Sequence, residues 1–186
     1  MTAAEFEARY RAEGDPWGYE KDPYERAKYA ATLDACGTGP FARALELGGS
    51  IGVFSRLLAP RCRSLVTIDG SPTAVAAARR RLAGRDGVTA AVGRIPADIP
   101  RGGYDLVVAS EILYYLSPAE LDQTLAVIGG CLVAGGRLVA VHWRPAGPER
   151  PFDAAAVHDR LRRLPWLEPA IRDATDQYLL DVLERR

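Results

Sequence analysis

Three observations predict an α/β fold built on a doubly wound, mostly parallel sheet. From residue 42 onward, apolar runs of strand length alternate with stretches of helical pattern. The runs are nearly continuous in apolar character, as in Tyr104-Asp105-Leu106-Val107-Val108-Ala109, which suits strands covered on both faces. The first run breaks into Gly48-Gly49-Ser50-Ile51-Gly52, and the second, Leu65-Val66-Thr67-Ile68, ends on Asp69. A length of 186 residues suits a single domain over 1–186, with an N-terminal helical segment at 1–38 and the sheet-forming core at 39–186.

The N-terminal segment reads as helical pieces. Thr2 is placed to cap a helix over 3–12. Asp15-Pro16-Trp17-Gly18 is a turn, and Pro23 opens a helix that runs to about Cys36, where Gly37, Gly39 and Pro40 end it. Strands are predicted at 42–47, 64–69, 87–92, 104–109 and 136–143, and helices at 53–60, 72–83, 118–129 and 152–164. Ser71 and Ser117 stand where helix caps belong, each followed by proline at the first helical position. Glu168 to Ala174 and Tyr178 to Leu183 break the rhythm and read as an antiparallel pair on one side of the sheet. A short helix over Tyr178 to Arg186 is the competing reading.

Lys+Arg and Asp+Glu both number 24, so the formal net charge is +0 and nothing favours nucleic acid as a partner. Arg79-Arg80-Arg81 reads as a solvated helix face. Cys36, Cys62 and Cys131 have no paired spacing; they predict neither disulfides nor a metal site and fit a reducing cytoplasm. Met1 to Arg11 has no apolar core of the kind a signal peptide needs. No apolar stretch approaches the roughly 20 residues that span a bilayer, so no membrane association is expected.

Glycines let a backbone turn sharply and lie close to a ligand. An acid at the tip of the next strand can hydrogen-bond both hydroxyls of a ribose. The bend at Gly48 to Gly52 beside Asp69 therefore describes a nucleoside crevice at the C-terminal ends of the strands. A dinucleotide site would show Gly-x-Gly-x-x-Gly, and the spacing here disfavours a nicotinamide dehydrogenase.

The pattern Glu46-x-Gly48-x-x-x-Gly52, with Ser50 where many relatives carry glycine, resembles the first motif of class I S-adenosylmethionine-dependent methyltransferases. Asp69 resembles their ribose-binding acid. Asp105 with its apolar run to Ser110-Glu111 resembles the fourth-strand motif, and Leu132 to Leu138 the turn before the fifth strand. Asp15-Pro16-Trp17, Tyr24-Glu25-Arg26, Lys28 to Leu33, Ala44 to Gly48, Ser110 to Leu116 and Val139 to Arg144 narrow the likeness to the nodulation protein S family.

That resemblance implies S-adenosyl-L-methionine as cofactor and N-methylation of an amino sugar or oligosaccharide. O-methylation of a saccharide or other natural product, or a silent cofactor-binding regulatory module, are the alternatives. It implies cofactor contacts from Glu46, Gly48, Gly49, Ser50 and Gly52, from Asp69 with the adjoining Gly70 and Ser71, and from Ser110. Relatives usually carry an adenine-reading acid after the third strand; this chain has Arg94 there. Arginine accepts no hydrogen bond. Adenine is then read by backbone near Arg94 and Ile95, by stacking on Arg94, or by Asp98.

Methyl transfer from a sulfonium needs positioning more than a nucleophilic residue. Glu111 is expected to bind the acceptor amine and take its proton, and its plain reading is a helix-starting acid or a surface pair. His142 is expected to be a base or acceptor contact, and its plain reading is a hydrogen-bonded strand-end histidine. His158 is placed in an amphipathic helix. Of the adjacent Tyr114 and Tyr115, one is expected in the core and Tyr115 to face the crevice as a cofactor or acceptor contact. Residues 1–38 are expected to form a lid, with Tyr24 or Lys28 near the methionine carboxylate.

Overall fold

An interior strand of the sheet, β1 (Ala44–Leu47), is buried at all four positions. It pairs in parallel with β2 (Leu65–Asp69) on one side and β4 (Tyr104–Ser110) on the other. The computed structural model describes residues 1–145 and 150–186. Beyond β2 lies β3 (Val88–Val92), and beyond β4 lies β5 (Leu132–Trp143), again parallel. The C-terminal strands β6 (Leu167–Ala174) and β7 (Tyr178–Arg185) complete a seven-stranded sheet of order β3-β2-β1-β4-β5-β7-β6. β7 runs antiparallel to β5, and β6 antiparallel to β7. Tyr178 to Arg185 is thus strand, because Leu180, Val182 and Leu183 complete the buried faces beside β5.

Alternation of side chains divides the core into two layers. Leu45, Leu47, Val107, Ala109, Leu138 and Ala140 face α5 (Pro118–Cys131) and α6 (Ala154–Arg162). Ala44, Leu106, Val108, Val139 and Val141 face α2 (Pro23–Cys36) and α3 (Val53–Leu58). α4 (Pro72–Arg81) packs on β3 through Val75 and Ala78. The caps fall as predicted: Thr2 opens α1 (Ala3–Glu13), Ser71 opens α4 and Ser117 opens α5.

Several boundaries differ from the sequence reading. α3 stops at Leu58 and tightens into a 3-10 turn over Ala59–Arg61, where Pro60 interrupts the α pattern. α5 continues through Gly129-Gly130 to Cys131. A methyl group on Gly129 would lie 3.1 Å from the Trp166 indole, so glycine there gives the ring its seat. β5 starts at Leu132, ahead of the expected residue 136, with a register shift opposite Tyr104 and Leu106 and a positive φ at Gly135. Asp105 has a structural task, accepting from the N–H groups of Ala42 at 2.6 Å and Arg43 at 2.9 Å just before β1. Among the described residues no helix is long and apolar enough to cross a membrane.

Candidate active site

The sheet order reverses at β1, between β2 and β4, and the crevice at such a switch point is where ligands of open α/β sheets sit. The loop leaving β1 is shaped by glycine for two different reasons. Gly48 and Gly52 have φ of 76° and 79°, a region that side chains disfavour. Gly49 is packed instead: a Cβ there would stand 1.7 Å from Thr67 Oγ1. Ser50 holds φ 49° and donates its N–H to Asp69 Oδ2 at 2.9 Å. Asp69 Oδ1 accepts from Ser71 N–H at 2.8 Å. Two backbone donors therefore pin the carboxylate, and each oxygen retains lone-pair capacity for one further donor. Burial lifts the Asp69 carboxyl above its usual range, and the two N–H bonds oppose that shift. A Cβ on Gly70 would meet nothing within 4 Å, so space is open at the end of β2.

Not every predicted cofactor residue faces that space. Glu46 is buried and accepts from Ser55 Oγ, bracing β1 against α3; burial pushes its carboxyl up to about 6. It is a post beneath the loop. The Ser71 hydroxyl caps α4 and donates to Glu7 Oε2 at 2.6 Å. The Arg94 side chain is exposed, while its N–H donates to Asp98 Oδ2 at 2.9 Å; Ile95 is half-buried beside it. Ser110 ends β4, half-buried and paired with Val141.

α1 lies over the bend. Glu7 accepts from the hydroxyls of Ser71 and Thr73, which hold its carboxyl down to about 2. Tyr10 donates to Ser50 Oγ at 2.6 Å. Phe6 meets Tyr115 edge-on at 4.9 Å and Trp17 at 5.7 Å. Residues 1–20 thus touch the glycine loop, the start of α4 and the turn after β4. Glu7 and Tyr10 were not foreseen in sequence; the 3–12 helix was visible, but not the surface it would cover.

A cleft of about 250 Å³ opens beside this cover. Its wall is aromatic, from Trp17, Tyr19, Tyr24, Tyr114, Tyr115 and Trp143, with Glu25, Lys28, Glu111 and Arg150 between the rings. α2 supplies Tyr24, Glu25 and Lys28 from its first turns, where Asp22 caps it and Pro23 starts it. Glu111 follows β4 with φ 55°, an uncommon value for a side-chain-bearing residue. Lys28 is 1% exposed, and its ammonium sits 2.7 Å from Glu111 Oε1 and 3.0 Å from Glu25 Oε1. Those carboxylates raise its pKa against the opposing effect of burial. With both carboxylates on it, Lys28 orders the acid pair. Glu111 Oε2 also accepts from the Tyr114 hydroxyl and from Trp143 N–H, the latter at 3.0 Å.

His142 does not enter the cleft, which corrects the expectation of a base there. It is fully buried, its Nε2 accepts from Leu113 N–H at 3.2 Å, and its Nδ1 lies 3.0 Å from His158 Nε2. His158 Nδ1 in turn reaches Asp181 Oδ2 at 2.9 Å, and Arg162 pairs with the same oxygen. Both ring nitrogens of His142 are engaged, so it is the hydrogen-bonded strand-end histidine of the plain reading. The chain ties β7 and α6 to the turn Leu113–Tyr115 that carries Tyr114 and Tyr115.

The Nodulation protein S (NodS) family profile matches residues 4–143. The chain belongs to the nodulation protein S family. It is 35% identical over 144 residues to Nodulation protein S of Rhizobium tropici, a match covering 76% of this chain and 60% of that protein. It is 34% identical over 164 residues to the demethylmenaquinone methyltransferase of Beutenbergia cavernae, covering 79% and 65%. The chain thus spans less than two thirds of these curated relatives. The crystal structure of N-methyltransferase NodS from Bradyrhizobium japonicum WM9 with S-adenosyl-L-homocysteine superposes with TM-score 0.90 at 26% identity, covering 100% of this chain and 99% of that one. The two chains therefore share their fold over all the residues of this one.

Proposed function

We propose that this protein is an S-adenosylmethionine-dependent methyltransferase that methylates the nitrogen of a small amine, with an amino sugar or deacetylated oligosaccharide as acceptor. The observation that carries this reading is the adjacency of two unlike sites at one switch point. A pinned carboxylate stands over a glycine bend on the β2 side, and an acid-bearing aromatic cleft lies at the end of β4. Membership of the nodulation protein S family and the superposition on a relative holding S-adenosyl-L-homocysteine support the same reading.

The cofactor would be held by the loop Gly48 to Gly52, by Asp69 with the open space at Gly70, and by the β3 exit at Arg94 and Ile95. Asp69 offers its remaining acceptor capacity to the two ribose hydroxyls. Asp98, tied to Arg94 N–H, would take the adenine amino group, the task the missing acid performs in relatives. When bound, the cofactor supplies a methyl group on a positively charged sulfur. The protein's own contribution is positional. The aromatic wall seats the ring of the acceptor, an acid of the cleft receives its nitrogen, and the cover formed by Phe6, Tyr10 and Trp17 excludes water. Balanced charge favours a small acceptor over nucleic acid, and three free cysteines favour a reducing compartment such as the cytoplasm.

The test is transfer of labelled methyl from S-adenosylmethionine to glucosamine and its β-1,4-linked oligomers, with glucose as the hydroxyl control. Label on the amine alone is expected. Label on glucose would favour O-methylation, and cofactor binding without any turnover would identify a silent module.

A further inference from the structure

An amine reaches a protein near neutral pH as an ammonium, which has no lone pair to receive a methyl group. Glu111, the acid expected to relieve it, already has donors on both oxygens. Lys28 holds one of its oxygens, and Tyr114 with the Trp143 N–H holds the other. Glu25 lines the same cleft and differs in one respect. Its Oε1 accepts from Lys28 at 3.0 Å, but its Oε2, on a residue only 7% exposed, has no hydrogen-bond partner among the described residues. The neighbouring Tyr24 hydroxyl is likewise buried without a partner. Buried polar atoms are costly to leave bare, and two of them on one cleft wall mark the place of a polar ligand.

We propose that Glu25, rather than Glu111, is the catalytic residue that takes the acceptor's proton, and that the Tyr24 hydroxyl donates to an oxygen carried by the same acceptor. The proposal rests on the methyl-transfer reading above and sharpens its substrate class: a small primary amine that also bears a hydroxyl or ether oxygen. One proton passes from the ammonium to Glu25 Oε2, giving a neutral amine and a carboxylic acid. The N–H bonding pair stays on nitrogen as the lone pair that would later form the N–C bond, the pair of the broken S–CH3 bond leaving on the sulfur. The acid returns its proton to solvent once product has left.

The surroundings suit that task. Burial raises the Glu25 carboxyl above its usual range, with Lys28 opposing and Glu111 and Asp22 assisting the rise. A more basic carboxylate is a better match for an ammonium. Lys28 fixes the other oxygen, so Oε2 cannot swing away, and Glu111 serves as a positioning residue that anchors Lys28.

The experiment compares wild type with Glu25→Gln and Glu25→Asp, using glucosamine as acceptor over a range of pH, with calorimetric binding of S-adenosylmethionine as the second readout. Glu25→Gln should bind the cofactor as wild type does. At about pH 6 its kcat/KM should fall at least tenfold, and at about pH 9, where free amine is supplied by solvent, the deficit should shrink to within about threefold. Glu25→Asp, which keeps the base on a shorter stem, should recover part of the low-pH loss. A deficit equal at all pH values, or none, overturns the assignment while leaving methyl transfer intact. A wild-type protein that transfers no methyl to any amine overturns both.

Discussion

Protonation of His142 is the most quantitative handle on the buried chain that links Asp181 to the cleft. His142 Nε2 accepts from Leu113 N–H, so its ring proton lies on Nδ1 and is donated to His158 Nε2; His158 then donates from Nδ1 to Asp181. An imidazolium has no lone pair for Leu113, so the series requires a neutral ring. Burial holds His142 well below the ordinary value of 6.5, with His158, Lys28 and Arg150 adding to the effect. Below pH 6.5 the unfolded chain binds a proton that the folded chain refuses. This contribution to stability is therefore intact above that pH and is lost as pH falls. One such proton gives a limiting slope of about 1.4 kcal/mol per pH unit, and about 1.4 kcal/mol in all between pH 7.5 and 5.5. Glu46, raised to about 6, works in the opposite sense, because its folded form binds the extra proton; it is common to both proteins and cancels in a difference.

Glutamine at 142 retains an acceptor for Leu113 but cannot titrate, and it strips His158 Nε2 of its donor. His142→Gln should therefore be less stable than wild type by about 1–3 kcal/mol at pH 7.5. The gap should close by about 1.4 kcal/mol on going to pH 5.5. Urea unfolding followed by tryptophan fluorescence at four or five pH values measures both quantities. Parallel stability curves for the two proteins would refute the neutral-histidine chain.

Three further outcomes follow from the same contacts. Asp69→Asn should weaken S-adenosylmethionine binding by about tenfold or more in calorimetry, since a neutral amide replaces the charged acceptor; unchanged affinity would remove the ribose role. Gly49→Ala should lower stability by about 1–3 kcal/mol, because its methyl meets the Thr67 hydroxyl inside the fold, and an unshifted melting temperature would contradict the packing described. Glu7→Gln should loosen α1 from Ser71 and Thr73 and speed proteolytic cutting within residues 1–20, whereas cutting at the wild-type rate would show that these bonds do not hold the cover.

Much of the fold was legible because its signals are local. Proline behind serine marked the starts of α4 and α5, and near-continuous apolar runs marked strands covered on both faces. Boundaries were less legible where tertiary contacts override propensity. α5 runs through Gly129-Gly130, and Gly129 makes room there for the Trp166 ring, a contact between residues far apart in sequence. In the site, Asp69 and the glycine loop are readable as a motif, whereas no local signal sets Glu25 apart. The Tyr24, Glu25 and Lys28 spacing on one helix was visible, but not that Glu111 would meet Lys28 from 83 residues away.

The order of strands and helices, the glycine bend and the acid at the tip of β2 were set by the chain alone, since each depends on residues within a few positions of one another. Tertiary structure alone decided which charged groups pair, which remain bare and which histidine nitrogen points inward. Those outcomes depend on desolvation and distance between segments that only folding brings together, and a buried ionisable group takes its character from whatever closes around it.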